Sequence, residues 1–293
     1  MPYQLSLFPQ QRDKIVNVAS VPFRSPFRYP GGKTWLVPRI RQWLASLSFQ
    51  PDFFIEPFAG GGIVGLSVAF ENLAKHVVFV ELDHQVASVW KTILSSDSEW
   101  LAKRIEEFPF SYESVENILA STNLSTRELA FQTIVKNRVN RGGILAPGAG
   151  KVKKGENGKG IASRWYPETL SKRIRKIYEI QDRITFIEGD GLEEIRASLQ
   201  IPNIALFIDP PYTSGGKMAG RRLYTYSELD HEELFRLCSG LMGDFLMTYS
   251  NDEATRQLVS KYQLTMREIA MKNTHHTKMT ELLVGRNLDW LGY

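Results

Sequence analysis

The stretch that most restricts the fold is Phe53-Phe54-Ile55-Glu56, which runs without a break into Pro57-Phe58-Ala59-Gly60-Gly61-Gly62 and on into Ile63-Val64-Gly65-Leu66-Ser67-Val68-Ala69-Phe70. A short apolar run stopped by proline reads as a buried strand, and the spacing after it is helical. Strand, glycine turn and helix make the first half of a nucleotide-binding unit, and Gly60, Gly62 and Gly65 fit G-x-G-x-x-G. Glycine is needed where a Cβ would keep the backbone away from a ligand. A second apolar run, His76-Val77-Val78-Phe79-Val80-Glu81-Leu82, ends in an acid about twenty residues after Gly60, where a carboxylate meets ribose hydroxyls. The pattern specifies an adenosine-type ligand and leaves NAD, FAD and S-adenosylmethionine open.

Further apolar runs extend an α/β order. Ile184-Thr185-Phe186-Ile187-Glu188-Gly189-Asp190 is a third strand ending in an acid, 204–209 a fourth, and Phe245-Leu246-Met247-Thr248-Tyr249-Ser250 a fifth, with 263–270 and 281–285 as closing strands. Asp190 would sit beside the ligand's adenine or simply cap the helix that follows. Helical patterns run from Val86 to about Leu129, with Ser125-Thr126-Arg127-Glu128 as a capping start, and over Pro167–Ile177, and Asp230 opens a further helix. The fourth strand is stopped by Pro210-Pro211, which leaves Asp209 at a carboxyl end, the edge where open α/β sheets bind ligands. Asp209 and the Pro210 carbonyl would accept from an exocyclic amine, and Tyr212 would stack on the heterocycle carrying it. The same residues would also serve as an Asp-Pro-Pro turn covered by tyrosine.

Pro26-Phe27-Arg28-Tyr29-Pro30-Gly31-Gly32-Lys33-Thr34 precedes a helical stretch and invites a P-loop reading, but the glycine that motif needs five positions before Gly32 is Phe27. What remains is a glycine-kinked loop at a helix start, whose amides and Lys33 suit an anionic group. Charge is unevenly spread. Between Gln132 and Tyr178 twelve Lys/Arg stand against two acids, so a chain of net +4 is mildly acidic everywhere else. That concentration points to a polyanion-binding segment. Within it, the glycine-rich 142–160 reads as too polar for a core, a loop that orders on nucleic acid. A second glycine-rich basic loop follows Tyr212 and carries Lys217, Arg221 and Arg222. The one cysteine, Cys238, allows no intrachain disulfide and favours a reducing compartment, here the cytoplasm. His275-His276 has no acid or cysteine cluster beside it, so no metal site is expected.

With Tyr29-Pro30-Gly31-Gly32-Lys33, Phe54-Ile55-Glu56-Pro57-Phe58-Ala59-Gly60-Gly61-Gly62 and Asp209-Pro210-Pro211-Tyr212 in this order, the chain resembles the Dam-type (alpha group) S-adenosylmethionine-dependent DNA adenine-N6 methyltransferases. The likeness spans about Phe27 to Val284. It implies a Rossmann-like methyltransferase sheet, mostly parallel with one antiparallel strand, S-adenosylmethionine as donor and double-stranded DNA as acceptor. It implies Tyr29 and Lys33 at the cofactor's methionine end, Phe58, Gly60 and Gly62 around it, Glu81 on its ribose and Asp190 near its adenine. Asp209 would serve both cofactor neighbourhood and catalysis, with Pro210 and Tyr212. Glu81 stands where several relatives have Asp.

The domain division that follows is an N-terminal arm at 1–22, a catalytic domain from 23–95 and 180–293, and an inserted target-recognition lobe at 96–179. Arg138, Arg141, Lys151, Lys153, Lys154 and Arg164 in that lobe, with Lys217, Arg221 and Arg222, are the expected nucleic-acid contacts. Asp209→Ala is expected to leave folding and cofactor binding largely intact while methyl transfer collapses. Cytosine-N4 or RNA-base methylation, a catalytically inactive nucleic-acid-binding relative, and a separately acting cognate restriction endonuclease remain open.

Overall fold

Seven runs become strands and join in one sheet: β1 (Phe53–Glu56), β2 (His76–Glu81), β3 (Ile184–Glu188), β4 (Ile204–Ile208), β5 (Asp244–Ser250), β6 (Thr265–Lys272) and β7 (Lys278–Gly285). Their order is β3-β2-β1-β4-β5-β7-β6. Neighbours from β3 to β5 pair in parallel, and β7 runs antiparallel to both β5 and β6. This is the Rossmann-like methyltransferase sheet expected, with its one reversed strand. The structure is a computed structural model and describes residues 21–29, 31–153, 155, 158–211, 228–272 and 278–292. Residues 1–20 of the arm, Lys154, Tyr212, Lys217, Arg221, Arg222 and His275-His276 lie outside the described residues.

Strand side chains alternate between two cores, as a period of two requires. Phe54, Val77, Phe79, Ala205 and Phe207 enter one cluster; Ile55, Val78, Val80, Leu206 and Ile208 enter the other. All five residues of β4 are buried, which is the condition of a central parallel strand covered on both faces. The first face carries α1 (Val37–Ser46), α2 (Ile63–Phe70) and α3 (His84–Ile93). It continues into α4 (Ser98–Glu106), α5 (Tyr112–Ala120), α6 (Thr126–Val139) and α7 (Pro167–Tyr178), whose Leu101, Val115, Ile134 and Ile174 belong to the same cluster. The second face carries α8 (Gly191–Ala197), α9 (His231–Gly240) and α10 (Glu253–Lys261). The Ser125–Glu128 capping box forms at α6, and Asp230 caps α9 through the Glu233 amide at 2.9 Å. No described helix is long and apolar enough to cross a membrane.

Two expectations change. Helix α10 has no counterpart in the sequence reading. The glycine-rich stretch also contributes to the core: Leu145 and Ala146 are buried, and the excursion is closed by Arg141 N to Gly150 O at 2.9 Å and Val152 N to Val139 O at 2.8 Å. Pinning the base of a loop lets apolar residues between glycines reach inward, which composition cannot reveal.

Gly65 sets how closely α2 approaches the sheet. A Cβ there would lie 2.7 Å from Glu56 Oε2 and overlap the ring of the buried Phe79. Gly65→Ala is therefore expected to cost about 1–3 kcal/mol by overpacking, read as a lower denaturant midpoint; an unchanged midpoint would refute this close approach.

Candidate active site

β1 and β4 are neighbours, but the chain leaves β1 for β2 on one side and leaves β4 for β5 on the other. Such a switch point opens a crevice at the carboxyl ends of the strands. Here it is a cleft of about 1130 Å³, mouth included, lined by residues that include Tyr29, Lys33, Phe58, Glu81, Asp190 and Asp209.

The wall after β1 is the glycine turn. Gly60 and Gly62 have φ of 47° and 60°, the left-handed region that a Cβ disfavours. A Cβ on Gly60 would also stand 2.6 Å from the Tyr29 ring. Trp90 Nε1 donates to the Gly60 carbonyl at 3.0 Å, and the Gly60 amide donates to Glu81 Oε2 at 2.8 Å. Glu81 Oε1 accepts from the Asp83 amide at 2.9 Å. Burial pushes the Glu81 carboxyl up to about 7 in spite of these two amides. Asp83 is buried and caps α3 through the Gln85 amide at 2.8 Å.

Opposite, at the end of β4, Asp209 is held from strand β5 and from a loop. Thr248 of β5 donates to Asp209 Oδ1 at 2.6 Å. Lys33 Nζ lies 2.9 Å from the same oxygen and 3.8 Å from Glu281 Oε2, and donates to Gly31 O at 3.0 Å. Only 4% of the Lys33 side chain is exposed, so its charge acts at low screening. Because β7 is reversed, its early residue Glu281 is delivered beside Ser250 at the end of β5. Beneath the turn, buried Glu56 accepts from the Gly65 amide at 2.9 Å. Burial first, and the Asp209 charge as well, hold its carboxyl well above the usual range.

The cofactor-site expectations meet at one cleft: Tyr29, Lys33, Phe58, Glu81, Asp190 and Asp209 all line it, with Gly60 and Gly62 forming its turn. Lys33 faces the protein's own Asp209. Asp190 caps α8 through the Leu192 amide at 2.7 Å while standing exposed at the cleft rim, so both roles considered for it are compatible. Pro210 is buried and is not part of the cleft lining, which Asp209 and Pro211 on either side of it are. The sequence reading missed Glu56, Thr248 and Glu281 as partners of the site, and Phe23, Ser25, Phe27, Glu228 and Leu229 as its lining. Only Glu56 carried a signal, an acid at the end of an apolar strand.

Of the expected nucleic-acid contacts, Arg141 and Lys153 are exposed and Arg164 is half-buried. Lys151 is half-buried and ion-paired with Glu116. Arg138 requires correction. It is 6% exposed and its guanidinium donates to the Pro26 carbonyl at 2.5 Å, so it braces the interior and does not face a phosphate. Burial, with Arg173 and Arg28 nearby, pulls its pKa down.

The family model described as D12 class N6 adenine-specific DNA methyltransferase matches residues 29–274. No curated protein matches the chain. Among solved structures, an rRNA methyltransferase from Streptomyces viridochromogenes is 14% identical, with 90% of this chain and 88% of that one covered at a TM-score of 0.40. A Pyrococcus horikoshii protein provisionally described as an RNA methyltransferase is 12% identical, covering 92% and 94% at 0.41. The precorrin-6y C5,15-methyltransferase of Geobacter metallireducens is 10% identical, covering 89% and 95% at 0.38.

Proposed function

Because the chain belongs to the D12 class of N6 adenine-specific DNA methyltransferases, we propose that the cleft between β1 and β4 holds S-adenosylmethionine, and that Asp209 and Pro210 receive the amine of an adenine extruded from duplex DNA. The observation that carries this reading is the fixing of Asp209. Thr248 and Lys33 both engage its Oδ1 at the carboxyl end of β4, directly across the switch point from the glycine turn.

The residues present fit the donor. The turn at Gly60–Gly62 borders the cleft, and the absence of a Cβ lets Tyr29 and Trp90 pack directly against it. Glu81, oriented by two amides, would accept from ribose hydroxyls, with Asp190 and Phe58 at the adenine end and Tyr29 and Lys33 toward the methionine end. Bound there, S-adenosylmethionine supplies an electrophilic sulfonium methyl group.

The protein's task concerns the acceptor. The N6 lone pair of adenine is delocalised into the ring, and the base is stacked in the duplex, so the base must be flipped out at a cost of a few kcal/mol. Asp209 and the Pro210 carbonyl accepting both amino hydrogens would favour a tetrahedral nitrogen and aim its lone pair. The proton shed after transfer leaves along the hydrogen bond to the Asp209 carboxylate. Rate then comes from positioning and fixed charge, without a covalent intermediate. Cys238, buried with its thiol pKa pushed up, is unsuited to nucleophilic catalysis. Target recognition is assigned to 96–179, where Arg141, Lys153 and Lys159 are exposed and would supply salt-dependent phosphate contacts.

The test is nucleoside digestion of DNA and RNA from cells expressing the protein. N6-methyldeoxyadenosine is the expected product. N4-methyldeoxycytidine or a modified RNA base would overturn the acceptor assignment, and no modified nucleoside at all, with S-adenosylhomocysteine still bound, would identify an inactive binder.

A further inference from the structure

Residues 21–29 bridge the cleft and the basic region. On the cleft side, Ser25 Oγ donates to the Gly61 carbonyl at 2.5 Å, and the Tyr29 ring lies against Gly60 and Gly61. On the other side, the segment is held by α6 and α7: Arg138 reaches Pro26 O, and the Arg173 guanidinium lies 4.7 Å over the Phe23 ring. At the centre is Asn137 of α6, fully buried. Its Oδ1 accepts from Arg28 N at 2.9 Å; its Nδ2 donates to Arg28 O at 2.9 Å and to Gly143 O at 2.7 Å. One acceptor and two donors in one plane are what a primary amide offers, and no shorter or charged side chain replaces all three. Gly143, with φ of 77°, presses so closely that a Cβ would overlap the Arg28 carbonyl.

We propose that Asn137 and Gly143, neither of which lines the cleft, are positioning residues that set the affinity for S-adenosylmethionine by holding Arg28 and Tyr29 against the glycine turn. The inference rests on the reading of the cleft as the donor site. It places a determinant of donor binding inside the region assigned to DNA recognition. Asn137→Asp retains volume and one acceptor but removes both donors that hold the Arg28 and Gly143 carbonyls, while Gly143→Ala pushes the same strap from the opposite side.

The experiment is steady-state kinetics of both variants, with amide exchange of the wild type. Each variant is expected to raise KM for S-adenosylmethionine by about tenfold or more, the scale of one or two lost buried hydrogen bonds. The value of kcat at saturating donor and KM for DNA should stay near wild type, a split that general loosening of the fold would not produce. In the wild type, S-adenosylhomocysteine alone should slow exchange at the Arg28 and Gly143 amides, an arm that stands even where a variant does not fold. An unchanged donor KM in folded variants, a fall in kcat alone, or Arg28 and Gly143 amides indifferent to bound S-adenosylhomocysteine would overturn the proposal. Calorimetry separates the two failures: no S-adenosylhomocysteine binding to wild type removes the donor-site reading and this inference with it, whereas binding without protection removes the inference alone.

Discussion

Asp209→Asn is expected to lower kcat on the order of 10³-fold, the scale of losing one preorganised charged group at a reacting centre, while S-adenosylhomocysteine still binds. The amide keeps the shape of the carboxylate but carries a donor that opposes the substrate amine, and it has no charge with which to take up the departing proton. Asp209→Ala is expected to differ in kind. It removes the acceptor oxygen as well as the charge from beside a lysine that is 4% exposed, with Glu281 a second carboxylate 3.8 Å from that ammonium. Removing one member of a buried pair costs about 3–5 kcal/mol, and partial compensation by Glu281 places this site at the lower end. The sequence expectation that Asp209→Ala spares the fold is thereby revised: a depressed denaturant midpoint should accompany the lost activity, and Lys33→Met in the Asp209→Ala background should restore part of it. Turnover near wild type in Asp209→Asn would remove Asp209 from the reaction.

What the sequence revealed and what it hid divide along the range of the interactions involved. The strands were readable because burial on both sheet faces demands continuous apolar runs, and a proline or glycine marks where several of them end, as at Pro57, Gly189 and Pro210. Glu81 was readable because its spacing from Gly60 is fixed within one βαβ unit, and the resulting contact at 2.8 Å is correspondingly direct. Thr248 and Glu281 were not, because they reach Asp209 and Lys33 through the order of strands β4, β5 and β7, which no local pattern encodes. Counting charge misled for a related reason. Among the cations of the basic segment, Arg138 is turned inward to Pro26, Lys136 donates to Gln85 at 2.8 Å, and Arg175 is ion-paired with Glu99 and Glu106. A charge total states how many cations exist, and only packing decides which ones water or a phosphate can meet. The same packing turns Asn137, in sequence one polar residue in a helix, into the tie between two regions.

Donor affinity is expected to depend on pH through Glu81, in the direction opposite to the stability of the free protein. Burial raises this carboxyl from 4.5 to about 7 in the folded state. Between those values the folded protein holds a proton that the unfolded chain has released. The contribution to stability is therefore complete below about pH 4.5 and is lost as pH rises through 7. Ribose hydroxyls that donate to Glu81 select the ionised form, so donor binding follows the other limb. With one proton released on binding, the Kd for S-adenosylhomocysteine should weaken about tenfold between pH 8 and pH 6. Glu56 shares the sign of the stability effect, and His76 and His231, whose pKa values burial lowers, oppose it. The Glu81 contribution is thus isolated only as the difference between wild type and Glu81→Gln. That variant should bind more weakly at pH 8, show a flat Kd across this range, and lose the wild type's extra stabilisation on acidification from pH 7 to pH 5. Titration calorimetry at several pH values, in buffers of different ionisation enthalpy, reads both the affinity and the proton released. A wild-type affinity independent of pH would mean that the ribose carboxylate is ionised throughout, or that the ribose does not meet Glu81.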